Sequence, residues 1–198
     1  TNATVDVSTR GGTTAYSSST VTLSNTVNAV NDAPVASGSA TLTAIDEDTA
    51  NPSGATVSSL FSSNFSDSTD TVSGGSSANT LAGIAITSYT RDATKGEWQY
   101  STNGSSWTTI SSSISAASSS LTFKSTDYLR FLPAANWNGS APTLTVALID
   151  SSTTVTTNAT VDVSTRGGTT AYSSSTVTLS NTVNAVNDAP VASGSATL

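Results

Sequence analysis

The chain has 198 residues with no Cys and no His, which excludes disulfides, thiolate or imidazole metal sites and His-based catalytic triads. Only 10% of the residues are charged, where about 25% is usual, and the net charge is −7. So sparse and acidic a composition excludes the basic patches that nucleic acid needs and favours a hard cation bound through oxygen. No apolar run approaches the roughly 20 residues of a membrane helix, so no membrane insertion is expected in this segment.

Residues 1–42 recur letter for letter as 157–198, an offset of 156 positions. Identity of that extent exceeds what a fold demands, because cores and loops tolerate substitution; it marks a slice through a tandem array. One period is long enough to close a core by itself. The expected organisation is 1–32 as the C-terminal strands of a preceding repeat, 33–188 as one complete repeat, and 189–198 as the start of the next. Adjacent repeats of the same chain are then the expected partners. From Thr43 to Leu198 there are eleven acids and five bases, so such an array repels itself end to end.

In chain order, residues 1–32 carry two or three strand patterns and the turn former Arg10-Gly-Gly, and are not expected to fold unless a neighbour completes them. The joint follows as Val27-Asn-Ala-Val-Asn-Asp-Ala-Pro-Val35. Its proline removes a donor, fixes φ and forces the preceding residue to be extended, so one repeat ends and the next begins there. Ser39–Ile45 alternates hydroxyl and apolar residues as a strand does. Asp46-Glu47-Asp48 is the densest acidic cluster. Val57, Leu60, Phe61 and Phe65 have near-helical spacing, which predicts one short helix within 54–65. Asn64, Asp67 and Asp70 recur at three-residue intervals among hydroxyls and could form another calcium loop, but they lack the pattern of an EF-hand or a calcium β-roll, and a surface turn is the favoured reading.

Leu81–Tyr89 is a strand. Gly96–Tyr100 and Trp107–Ile110 flank a hairpin turn carrying Asn103-Gly104. This hairpin resembles the Asp-box of sialidases, with Asn for Asp and one residue fewer, and Trp98 and Trp107 are read as packing residues. After a Ser-rich loop at 111–120, strands are predicted at Leu121–Phe123, Tyr128–Leu132, Thr143–Ile149, Ala159–Val163 and Thr176–Val186. Eight or nine short antiparallel strands with Gly, Ser and Asn between them read as an all-β, antiparallel β-sandwich.

The segment Phe131-Leu-Pro-Ala-Ala-Asn-Trp-Asn-Gly139, followed by Leu144–Asp150, joins the Asn-Asp-Ala-Pro joints in one pattern. That pattern resembles the cadherin-like and immunoglobulin-like tandem repeats of giant bacterial surface adhesins, including those of the repeats-in-toxin type. The resemblance implies Ca2+ at the joints, with Asn31, Asp32, Glu47, Asp48, Asp150, Asn187 and Asp188 as candidate ligands. The joint is less acidic than a cadherin linker, which implies fewer ions or weaker binding. The plainer alternative also stands: Asp32 and Asp188 cap a turn before proline, and Asp46–Asp48 is a solvated loop.

The expected function is that of a structural extender or spacer repeat of a large secreted adhesin at a bacterial cell surface, stiffened by calcium at its joints. No enzyme is expected, since there is no Gly-x-Ser-x-Gly elbow, no His base and no selected carboxylate pair. Two alternatives remain open: a glycan- or protein-binding repeat acting by avidity, and a self-assembling fibre or surface-layer subunit. Nothing in the sequence indicates a distal ligand.

Overall fold

Alternation of Thr, Val, Ile and Leu with hydroxyl residues suits a half-buried pleated surface, and the molecule is accordingly β-rich, with 33% strand and 7% helix. The computed structural model describes residues 2–195; Thr1 and residues 196–198, at the two ends of the expected partial repeats, lie outside the described residues. Strands β1 (Val35–Ala36), β2 (Ser39–Thr41) and β3 (Ile45–Asp46) come first. Next, β4 (Ala55–Thr56) leads into the single short helix α1 (Val57–Phe61), whose N-cap hydroxyl on Thr56 accepts from the Ser59 N–H at 3.1 Å. A 3-10 turn at Ser62–Asn64, β5 (Phe65–Ser66) and a second 3-10 turn at Ser68–Asp70 follow. Then come β6 (Leu81–Tyr89), β7 (Gly96–Ser101), β8 (Thr108–Thr109), β9 (Ser120–Lys124) and β10 (Tyr128–Pro133). The last five are β11 (Gly139–Ser140), β12 (Leu144–Asp150), β13 (Ala159–Val161), β14 (Tyr172–Ser180) and β15 (Thr182–Asn184).

One six-stranded sheet has the order β13-β9-β6-β12-β14-β2, and a four-stranded sheet has the order β4-β10-β7-β8. Two smaller sheets, β11-β15-β3 and β1-β5, complete the set. Side chains of both large sheets share one core. Trp98, Leu129 and Phe131 from the four-stranded sheet meet Ile84, Ile86, Leu144, Val146, Leu148 and Val177 from the six-stranded one. Trp98 is wholly buried, donates its indole N–H to the Pro142 carbonyl at 2.6 Å and packs edge-on against Phe131. At Gly83, an added Cβ would lie 2.2 Å from the Phe123 carbonyl oxygen, so the close β6–β9 approach requires glycine.

The sheets are not purely antiparallel, as the sequence had suggested. β14 pairs in parallel with β2, and β15 in parallel with β3. β2 and β3 lie near the start of the period and β14 and β15 are its last two strands, and strands so far apart in sequence need no hairpin between them. The consequence is geometric. The chain enters at the end where β14 begins and leaves at the opposite end.

Candidate metal centre at the entry end

The incoming linker docks beside the start of β14, where the Ala33 N–H donates to the Gly168 carbonyl at 2.7 Å. Asn31 and Asp32 lie just before that contact and meet two carboxylates from separate parts of the chain. The Asp32 N–H donates to Asp70 Oδ1 at 2.8 Å. Asn31 Nδ2 faces Asp150 Oδ2 at 3.4 Å, the Thr170 carbonyl at 3.3 Å and the Asp32 carbonyl at 3.1 Å. Three oxygens around one amide nitrogen with two protons, all at long distance, make an oxygen-lined position that a neutral donor serves poorly.

Asp67 and Asp70 do form a turn, as expected, but both residues are buried instead of lying at the surface. Asp67 is only 5% exposed and Asp70 7%; Asp67 precedes the 3-10 turn Ser68–Asp70, which carries Asp70 to the linker, where it accepts from the Asp32 N–H. Asp67 Oδ2 accepts from the Asn79 N–H at 2.7 Å, but its Oδ1 is buried and has no partner. Asn79 Nδ2 in turn donates to Asn31 Oδ1 at 2.7 Å and to Asp70 Oδ2 at 3.2 Å. Asp150 is wholly buried at the end of β12, with Oδ1 accepting from the Ser152 N–H at 2.8 Å. Burial chiefly, opposed by the Asn79 N–H and joined by the charges of Asp70, Asp150 and Asp32, pushes the Asp67 carboxyl above its ordinary value.

By residue type, these side chains suit a hard divalent cation. Calcium takes about six to eight oxygens from carboxylates, amides and carbonyls, and this end offers all three kinds around an orphaned carboxylate oxygen. Among the described residues no three acidic side chains already stand at ligating separation; the amides of Asn31 and Asn79 link Asp150 to Asp70. An ion would replace those bridges. Asn64, the other member of the Asn64/Asp67/Asp70 series, takes no part: its Nδ2 donates to the Ser37 carbonyl at 2.6 Å and pins the first strands.

The remaining sequence candidates lie elsewhere. Glu47 and Asp48 sit at the exit end, and protein donors occupy their carboxylates. Glu47 is 6% exposed; its Oε1 accepts from the Val186 N–H at 2.6 Å and its Oε2 from Asn138 Nδ2 at 3.1 Å. Asp48 Oδ1 accepts from the Asn136 N–H at 2.9 Å. They are not joined with Asn31 and Asp32, because β3 follows β2 toward the far end of the molecule. Nor is the cluster a plain solvated loop. Asn187 and Asp188 are exposed beyond β15, with no contact beyond Asn187 Nδ2 to the Asp188 carbonyl at 3.2 Å. The structure therefore brings together Asn31, Asp32 and Asp150, adds Asp67, Asp70 and Asn79, and separates Glu47, Asp48, Asn187 and Asp188 from them.

The aromatic residues form no comparable open site. Trp107 is half-buried under the Arg130 guanidinium, 4.1 Å from the ring centre, and Trp137 packs edge-on against Phe131. Arg130 is itself buried without a carboxylate; it donates to Gln99 Oε1, Asn51 Oδ1 and the Pro52 carbonyl at 2.7, 2.6 and 2.8 Å. In the hairpin, Asn103 Oδ1 accepts from the Ser105 and Ser106 N–H groups, the turn-capping role expected of it. No family model, curated protein or solved structure matches this chain.

Proposed function

We propose that this chain is a slice of a tandem array of β-sandwich extender repeats from a large secreted adhesin, in which calcium at each joint stiffens a rod projecting from a bacterial cell surface. The observation that carries this reading is the parallel pairing of β2 and β3 with β14 and β15, which sends the chain in at one end and out at the other. Successive repeats then add length instead of folding back. The nine residues of β14 alone span about 30 Å at roughly 3.3 Å per residue, so tens of repeats reach on the order of a thousand ångströms.

Calcium would supply positive charge and oxygen coordination at the docked linker. Asn31, Asp32, Asp67, Asp70 and Asp150 would hold it, offsetting part of the negative charge each repeat carries. The aromatic residues lend the glycan-binding alternative no support, since Trp98 is buried and Trp107 and Trp137 pack against Arg130 and Phe131. Small-angle scattering and thermal melting of a protein with two complete repeats test the reading. Calcium is expected to lengthen the particle and raise its melting temperature relative to chelator; identical curves would sink the calcium part. Scattering that shows repeats folded side by side would sink the extender itself.

A further inference from the structure

The two ends of the repeat treat their linkers by different chemistry. At the exit end Asp46, Glu47 and Asp48 each have a protein donor, while Asp188 in the linker itself is exposed. Glu47 accepts from the Val186 N–H and from Asn138, and Asp46 Oδ1 accepts from Asn184 Nδ2 at 3.1 Å. The parallel β15–β3 pair fixes this arrangement, and the Glu47 N–H donates to the Asn184 carbonyl at 2.9 Å. A buried carboxylate that accepts two hydrogen bonds is satisfied without a metal. At the entry end Asp70 and Asp150 also accept from protein donors, but Asp67 Oδ1 is buried with no partner, and Asp32, Asp70 and Asp150 add like charges near it.

We infer that each joint is held by two separate devices: a cation site built wholly from one repeat and its own incoming linker, with Asp67, Asp70 and Asp150 facing Asn31 and Asp32, and a metal-free latch in which Glu47 grips the outgoing linker through the Val186 N–H. This rests on the calcium reading proposed above and narrows it, because Asn31 and Asp32 of the linker are the sole ligands from outside residues 33–188. A single repeat with its linker then takes up an ion by itself. Chelation frees the incoming linker and leaves the outgoing one attached, so the rod softens on one side of each joint only.

The test uses the whole chain, titrated with calcium by calorimetry and followed by residue-resolved amide exchange with calcium or chelator. One ion per chain is expected. Asp67→Asn and Asp70→Asn should each weaken binding by about ten-fold or more, while Glu47→Gln should leave it within about two-fold. Asp67→Asn is the safer variant, because an asparagine carbonyl can still accept from the Asn79 N–H. Calcium should slow exchange at the Asp32 amide about ten-fold and leave the Val186 amide unchanged; Glu47→Gln should speed exchange at Val186 alone. Binding abolished by Glu47→Gln and spared by Asp67→Asn, or Val186 protection that disappears with chelator, overturns this assignment while calcium binding itself stands. No calcium uptake at all overturns the calcium reading and the entry-end site together.

Discussion

Residues 2–32 and 158–188 are the same sequence in two fates. In the second copy β13, β14 and β15 form, and Val163, Val177, Leu179 and Val183 are at most 2% exposed. In the first copy no strand forms, and the matching residues Val7, Val21, Leu23 and Val27 are 45%, 96%, 97% and 88% exposed. The difference lies in what each copy has beside it: β12, β9 and β2 offer edges to the second copy, and no strand among the described residues pairs with the first. Strand propensity is thus permissive; burial against a partner decides.

One part escapes this rule. In both copies the double-glycine turn is made in the same way. Gly11 N–H donates to the Tyr16 carbonyl at 2.9 Å, as Gly167 does to Tyr172, and both first glycines have φ of 77°. Thr14 and Thr170 hydroxyls donate to the Gly11 and Gly167 carbonyls at 2.8 and 2.9 Å. These contacts span a few residues, so no distant partner is needed.

The widest test of that contrast is truncation. Removing residues 157–198 takes away three strands and the parallel closure, and cooperative unfolding should be lost in circular dichroism melts. Removing residues 1–30 should leave the melting temperature within about 2 °C, since almost nothing there is buried. Point substitutions repeat the comparison at smaller scale. Leu179→Ala should cost about 3 kcal/mol in denaturant unfolding and the matching Leu23→Ala less than about 0.5 kcal/mol. If the two changes cost the same, the first copy is packed in solution and the contrast fails.

Glycine substitution sharpens the exception. Gly167→Ala should cost about 1 kcal/mol or more because its φ is positive, whereas Gly11→Ala should disturb only the local turn, visible as shifts confined to residues 8–16 in NMR spectra and absent from the global melt. The smallest effect separates the two Asn-Asp joints, one docked and one free. Because the Asp67 carboxyl is raised, the folded metal-free chain holds that proton more tightly than the unfolded chain. Its contribution is therefore full below the ordinary 3.8 and lost as pH rises through the raised value. Asp67→Asn should accordingly raise the melting temperature in chelator at neutral pH, flatten the fall in stability from acid to neutral pH, and cancel any gain from calcium. A variant that melts below the parent in chelator at neutral pH would contradict the strain assigned to Asp67.

Much of the strand pattern was legible because it is local. β6 spans the predicted Leu81–Tyr89, and the β7–β8 hairpin sits on Asn103-Gly104 as turn chemistry requires. The short helix too followed from the spacing of Val57 and Phe61. The two-residue strands β1, β4, β5 and β11 were not legible, since each is a pairing with a distant segment. The candidate site was half legible. Asn31, Asp32 and Asp150 stood out by their motifs, whereas Asp67 and Asp70 carried only a three-residue spacing, and Asn79 carried no signal. Glu47 was conspicuous for its acidity, yet acidity alone did not reveal that Val186 and Asn138 occupy its carboxylate.

The sequence by itself determined the repeat, the β-rich class, the turns and the position of the joints, because each depends on residues near one another along the chain. Tertiary structure decided which of two identical segments becomes strand, which carboxylates gather at the entry end, and that β2 and β3 run parallel to β14 and β15. Those outcomes depend on burial and charge shared between segments more than a hundred residues apart, such as Asn31 and Asp150 or Ser39 and Thr178, and no local pattern encodes them.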